Sequence, residues 1–530
     1  MSYSPFQTVR PSWIALASAA GLAVTVFVAA KPPPATTGPD RSLSARLHKT
    51  DLNYVESSIG ITPPKWDGGR SEIEFADMNL DGHLDIVSIG DHGSPYINTD
   101  MHGVSVWFGD GTGRWQCRQV GTFGYGGVAV GDVNQDGLPD VGYGMHHNYS
   151  GADLGDQLLE VALGDGSGTA WTAWDNGLAE QGQSWGMFST EFADFNIDGW
   201  LDVASVGFGS GNGLHVYTNN RDGSWNWTFA SWDGNSSMDI TAGDVNNDGY
   251  PDLATAIQNG TVWLNDSVGG FRLADANLPD PGSLGLRGPD LGDVNGDGFD
   301  DLSFSTNGGI QVWTWNNSAA NWTNFSGNLP ASGPFEATQL VDMNLDGRLD
   351  IAAFGDARFA VWLGNGNGDW NLAGTFTVDS PGSYVALRMA DADHNGYPDI
   401  GIVSEEKVGG IFSYRNHLQF FKEDSVATSP WIDITGPTRH RTLILGSAVF
   451  FDWVAAVPPG ITGTVDLELS LDGPAGPWTP LASNLLNNGR YQAVLDAPGA
   501  SETAYLRATL RLDDGREVQD THGPLTILIP

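Results

Sequence analysis

Three aspartates, one asparagine and a glycine recur along this chain in one register, Asp-x-Asn-x-Asp-Gly-x-x-Asp. In the first copy Asp77, Asn79 and Asp81 stand at alternate positions, Gly82 follows, and Asp85 closes the segment. Ca2+ takes about six to eight hard oxygen ligands, and a tight loop offers them from alternate side chains plus a backbone carbonyl, here that of His83. Asn79 adds an amide oxygen without a fourth negative charge, which limits repulsion in the loop. The same set is read at Asp132, Asn134, Asp136, Leu138 and Asp140, and at Asp194, Asn196, Asp198, Trp200 and Asp202. It returns at Asp244, Asn246, Asp248, Tyr250 and Asp252, at Asp293, Asn295, Asp297, Phe299 and Asp301, and at Asp342, Asn344, Asp346, Arg348 and Asp350. A seventh copy exchanges the middle letters, giving Asp391, Asp393, Asn395, Tyr397 and Asp399. In each set the seventh-position residue contributes its carbonyl. The expected cofactor is therefore Ca2+, up to seven ions, one per loop.

These loops differ from EF-hands, which need a bidentate Glu at position 12 and flanking helices. Position 12 here is Ser88, Tyr143, Ser205, Thr255, Phe304, Ala353 or Ile402, in strand-like sequence. Asp, Asn and Gly also mark ordinary turns. Seven copies with the same three acids in register favour ligation over turn chemistry alone.

The loops must be held by something periodic, and their starts are 55, 62, 50, 49, 49 and 49 residues apart. That spacing suits a four-stranded blade. Short apolar segments flank each loop, such as Ile73-Glu74-Phe75-Ala76 before and Ile86-Val87-Ser88-Ile89 after. A third strand ends in a turn, as at Val104–Gly111 or Val361–Gly366, and a fourth opens on Trp115, Trp225, Trp322 or Trp370. Four strands per loop and seven loops predict an all-β chain, a seven-bladed β-propeller. Leu52-Asn53-Tyr54-Val55 is expected as a clasp strand on the last blade, with Leu418-Gln419-Phe420-Phe421 as its rival. From about residue 430 the Asp loops stop, and alternating strands such as Val465–Leu471 and Tyr505–Leu510 predict a small β-sandwich.

The repeat resembles the FG-GAP (VCBS-type) repeat of integrin α-subunit propellers and of many microbial secreted proteins. The resemblance covers roughly 52–424 and rests on the seven loops just quoted. It implies calcium loops joining the first and second strands of each blade on one face, and partner contacts from loops between the second and third strands on the other. Two such loops are long here, 91–102 and 145–153, and they hold His92, His102, His146, His147, Tyr149 and Asp153. A ligand-binding patch is expected there, with decorated surface loops as the alternative. No inserted adhesion domain is present, so the resemblance is to the propeller alone. The C-terminal sandwich is expected to be immunoglobulin- or fibronectin-like.

Composition agrees with this organisation. Gly is present 71 times and Trp 20 times, which fits many tight turns and a folded interior. The net charge of −40 excludes a nucleic-acid role, and seven divalent ions would offset only part of it. The remainder reads as a solvated acidic surface. The single cysteine, Cys117, permits no internal disulfide and is expected as a small core residue. Arg10 precedes an apolar run, Trp13 to Ala30, ended by Lys31-Pro32-Pro33-Pro34. It reads either as a signal peptide, with Val28-Ala29-Ala30 at the cleavage position, or as a membrane anchor. The expected organisation is thus 1–30 signal or anchor, 31–50 flexible linker, 51–424 propeller and 430–530 sandwich, with an extracellular or cell-surface location. Eight Asn-x-Ser/Thr sequons fall within 148–326. Gly182-Gln183-Ser184-Trp185-Gly186 matches the nucleophile-elbow formula, but lacks the α/β context that motif requires.

Two functions remain. One is a non-catalytic binding or adhesion module for an extracellular protein or glycan, with structural Ca2+ in the blade loops. The other is an extracellular polysaccharide-active enzyme, a lyase or hydrolase, on the same scaffold. No acid/base constellation stands out, so binding without catalysis is preferred.

Overall fold

A computed structural model describes residues 49–530 apart from 62–64, 69–71, 91–102, 122–125, 146–153, 184–185, 208, 210–212, 232–238, 256–260, 280–286, 308, 379–382 and 408–413. No side chain is described at 65–68, 287, 383–385, 405 and 414. The structure is all-β, and every Asp-rich loop joins the first two strands of an antiparallel sheet. Sheet one contains Ile73–Ala76, Asp85–Gly90, Gly103–Gly109 and Trp115–Val120 in sequence order. Sheets two to six repeat the plan, with first strands Val128–Gly131, Met187–Ala193, Ile240–Gly243, Arg287–Gly292 and Ala337–Val341. Sheet seven contains Ser383–Ala390, Asp399–Lys407 and Tyr414–Glu423.

Packing explains why the second strands are runs of apolar residues. Asp85–Gly90, Asp202–Gly207 and Asp350–Gly355 are buried along their whole length, because a neighbouring sheet covers each face. Outer strands such as Trp115–Val120 bury their first residue and leave the rest half-buried or exposed. The hydrophobic core is divided among the spaces between consecutive sheets. Val87, Ile89, Val104 and Val106 of sheet one meet Val128, Val141 and Tyr143 of sheet two. Equivalent clusters follow round the molecule. A last cluster sets Val403, Leu418 and Phe420 of sheet seven against Ile73, Ile86 and Trp107 of sheet one. First strands likewise touch in succession, and Ser383–Ala390 returns to Ile73–Ala76. The sheets therefore close into a ring, the β-propeller arrangement.

Chain ends meet in sheet seven. Tyr54–Glu56 pairs antiparallel with the Tyr414–Glu423 strand in the register Tyr54↔Glu423, and Lys65–Gly68 pairs with the other end of that strand. Leu418–Phe421 is thus the third strand, and the N-terminal segment lies outside it. Tyr54 is fixed by edge contacts to Phe359 and Phe376, with centroids 5.5 Å and 5.1 Å away. The tryptophans that open outer strands tie sheet to sheet. Trp115 Nε1 donates to Ser57 O at 3.0 Å, Trp322 Nε1 to Ala274 O at 2.7 Å and Trp370 Nε1 to Phe325 O at 3.1 Å. Cys117 is half-buried on an outer strand and packs at the margin of the core between sheets seven and one; burial pushes its thiol up to about 12.

Residues from Trp431 onward form a three-stranded sheet (Trp431–Gly436, Ala448–Ala456, Arg490–Val494) and a five-stranded sheet containing Thr442–Ile444, Gly463–Ser470, Thr479–Leu486, Ser501–Leu512 and Glu517–Leu528. They face each other across a shared core of Ile432, Phe451, Trp453, Leu467, Leu506 and Ile527. Among the described residues no helix is long and apolar enough to cross a membrane. The 13–30 segment lies outside them.

Candidate metal centres in the Asp-rich loops

Each loop is a closed network of backbone amides on carboxylates. In the first, Asp77 Oδ1 accepts from Asp81 N and Asp77 Oδ2 from Gly82 N, both at 2.9 Å. Asn79 Oδ1 also accepts from Asp81 N at 3.1 Å, and Asp81 Oδ1 accepts from His83 N at 2.9 Å. The chain turns through two left-handed residues, Leu80 at φ 57° and Gly82 at φ 89°. Position six is glycine in every copy. Position four is left-handed throughout too, and only Gly296 is a glycine there. The others are Leu80, Gln135, Ile197, Asn247, Leu345 and His394. Left-handed backbone at Leu and Ile costs of order 1–3 kcal/mol each, so the surrounding bonds must over-determine the loop. Nothing in the sequence pattern marked that position.

The last aspartate of each set does more than close a loop. Asp85 begins the second strand, fully buried, with Oδ2 accepting from Met78 N at 3.0 Å and Oδ1 from Gly109 N at 2.9 Å. Asp140, Asp202, Asp252, Asp301, Asp350 and Asp399 repeat the arrangement, bonding the second loop residue and the end of the third strand. A carboxylate thus pins three strands at one end of each sheet. Burial pushes Asp85 and Asp140 up to about 8, and raises the other five as well.

The donors are all oxygen, the chemistry Ca2+ selects. In loop seven one oxygen from each of Asp391, Asp393 and Asp399 lies within 4.8 Å of the others, and Asp391 Oδ1 is buried without a donor. Lys422 Nζ stands 3.3 Å from Asp393 Oδ2 as a competing cation. In loops one to four and in loop six the asparagine amide nitrogen instead points at the position-five carboxylate, at 2.9 Å from Asn79 Nδ2 to Asp81 Oδ2. Ligation there requires that amide to turn its oxygen inward.

The C-terminal sandwich is seated on the loops. Ala448 N donates to Asp194 Oδ2 at 2.8 Å, Ala455 N to Asp391 Oδ2 at 3.3 Å and Asn488 Nδ2 to Asp77 Oδ2 at 3.3 Å. Gln492 exchanges bonds with the backbone of Asp132 at 2.8 and 2.9 Å. Asn247 joins His440 O and Thr442 N. Arg441 reaches Asp244 O at 3.0 Å and pairs with Asp300. Loop carboxylates are therefore shared between turn, strand and sandwich, and part of the loop face is covered. Spacing in the sequence held no sign of this long-range docking.

A second charged group was also missed. Glu74, Glu191, Asp290 and Arg388 come from the first strands of sheets one, three, five and seven and influence one another electrostatically. Arg388 Nε meets Glu74 Oε1 at 2.6 Å. Burial, with Glu74 beside it, pushes Glu191 up to about 8. A charged residue inside an innermost apolar segment, as in Ile73-Glu74-Phe75, was the available signal. The predicted patch residues His92, His102, His146, His147, Tyr149 and Asp153 lie outside the described residues.

The profile of the FG-GAP-like repeat matches residues 77–143, 194–255, 293–353 and 342–402, stretches that contain all seven loops. No curated protein matches the sequence. Among solved structures, an Agrocybe aegerita lectin specific for non-reducing terminal N-acetylglucosamine is 19% identical over 59% of this chain and 82% of its own, with a TM-score of 0.40. The Dos1 propeller is 8% identical over 70% and 95%, with a TM-score of 0.38. An ancestral GH74 enzyme is 12% identical over 86% and 62%, with a TM-score of 0.39. Likeness at this level leaves binding and catalysis equally open.

Proposed function

We propose, from the premise that the chain carries FG-GAP-like repeats, that it is an extracellular, seven-bladed, calcium-binding propeller serving as a binding or adhesion module for a protein or glycan. The observation that carries this reading is the recurrence of one oxygen-only loop in every sheet of the ring. Bound Ca2+ would neutralise the buried carboxylates and strengthen the ring by linkage, about 2.7 kcal/mol per site at a hundredfold excess over Kd. The sandwich occupies part of the loop face, and the opposite face is the surface assigned to a partner. The apolar 13–30 segment, as signal or anchor, would carry the chain out of the cytoplasm. The test is calorimetric titration of the chelator-stripped chain with Ca2+, beside its melting temperature. Several bound equivalents and a rise of many degrees are expected; absence of both sinks the reading. Glycan-array and pull-down binding in Ca2+ then addresses the partner.

One observation favours a second reading. The Glu74–Arg388 pair, with Glu191 in its electrostatic field, would supply an acid and a base of the kind a polysaccharide lyase or hydrolase needs. Turnover of uronate polymers, abolished in Glu191→Gln, would establish it, and no turnover on such polymers would remove it.

A further inference from the structure

We infer that sheet two carries an additional divalent-cation site, formed by Asp156, Glu160 and Asp175, at the end of the sheet remote from the Asp132–Asp140 loop. The inference does not depend on metal in the Asp-rich loops. Strand Asp140–Gly144 runs away from its loop and Leu159–Gly164 returns, with Glu160 opposite Tyr143, so Glu160 stands at the far end. The outer strand Trp171–Ala173 runs back to that end, and Trp174 N donates to Val161 O at 2.8 Å, which brings Asp175 alongside.

Glu160 is fully buried and Asp175 is only 9% exposed. Glu160 Oε1 is held by Gly155 N at 3.1 Å and Gln157 N at 2.7 Å. Glu160 Oε2 and Asp175 Oδ2, both buried, have no amide, hydroxyl or cationic donor, and the two carboxyl groups face each other. Two such oxygens side by side cost several kcal/mol unless a proton or a cation lies between them. Among the described ion pairs no Lys, Arg or His reaches Glu160 or Asp175. One oxygen from each of Asp156, Glu160 and Asp175 lies within 4.8 Å of the others. Oxygens sharing one Ca2+ at about 2.4 Å are at most about 4.8 Å apart, so the spacing fits without movement of the backbone. Asp156 is exposed and gives the ion its way in. Three carboxylates select a hard divalent ion, Ca2+ before Mg2+, because the site is not an octahedral cage.

The test compares Ca2+ binding by the full chain with that of Asp156→Asn and Glu160→Gln, and locates Tb3+ by anomalous diffraction. Each variant is expected to lose one equivalent, or to bind it about tenfold more weakly as the charge count falls. A Tb3+ peak is expected among the three carboxylates. Asp156→Asn alters an exposed side chain, so it reports even if Glu160→Gln fails to fold. If the Asp-rich loops bind nothing, a single equivalent sensitive to both variants still supports this site. Unchanged stoichiometry and affinity in Asp156→Asn, or no peak at saturating Tb3+, overturns it and leaves a proton shared by Glu160 and Asp175.

Discussion

Arg441 of the C-terminal sandwich is buried against Asp300, the residue immediately before the last aspartate of loop five, and so couples two separate cores through one ion pair. The same guanidinium lies 3.9 Å from Asp244 Oδ2 of loop four. Asp300 and Asp244 keep it charged, against its own desolvation. Removing one partner of a buried pair leaves an uncompensated charge, at about 3–5 kcal/mol. Arg441→Ala should therefore lower the melting temperature and open the 424–430 connection to limited proteolysis. Cleavage no faster than in the unaltered chain would show that the pair does not hold the sandwich down.

Two aspartates of one loop should behave differently. Asp85→Ala strands the buried amides of Met78 and Gly109, at about 1–3 kcal/mol each, whether or not metal is present. Asp81 is exposed and accepts mainly local loop amides. Asp81→Asn should melt like the unaltered chain in chelator and lose only the Ca2+-dependent increment. Melting curves in EDTA and in Ca2+ separate the two.

The stripped protein should lose stability as pH rises. Burial holds Asp85 and Asp140 near 8 and Asp194 near 6, whereas an unfolded aspartate titrates at about 4. Between those values the folded chain retains protons that the unfolded chain has released, so their contribution is complete below about pH 4 and gone above about pH 8. In EDTA the melting temperature should fall from about pH 5 to about pH 8.5. Saturating Ca2+, which competes with those protons, should flatten or reverse the slope. A profile in EDTA that rises across this range contradicts the assignment.

Tyr54 anchors the N-terminal strand on sheet seven. Its ring fills the core between sheets six and seven, against Phe359 and Phe376. Tyr54→Ala should cost about 3–5 kcal/mol, as for other buried aromatics, and hydrogen exchange should accelerate first in Tyr414–Glu423. Uniform acceleration over all sheets would show that closure is not local to sheet seven.

Local pattern was enough for the all-β architecture and for the position of every Asp-rich loop. Asp, Asn and Gly at fixed offsets act on their own backbone within a few residues, and a repeat of about fifty residues cannot bury its apolar faces except against its neighbours. The outer-strand tryptophans were equally legible, although their bonds to the preceding sheet were not.

Tertiary structure alone decided what those loops touch. The sandwich on Asp77, Asp194, Asp244 and Asp391, the Arg388–Glu74–Glu191 group and the Asp156–Glu160–Asp175 cluster join residues far apart in sequence or in separate strands. Such contacts depend on ring closure, strand register and desolvation, and none of these leaves a local signature. Left-handed backbone at Leu80 and Ile197 shows the same limit at short range, because the bonds around these residues override their own conformational preference.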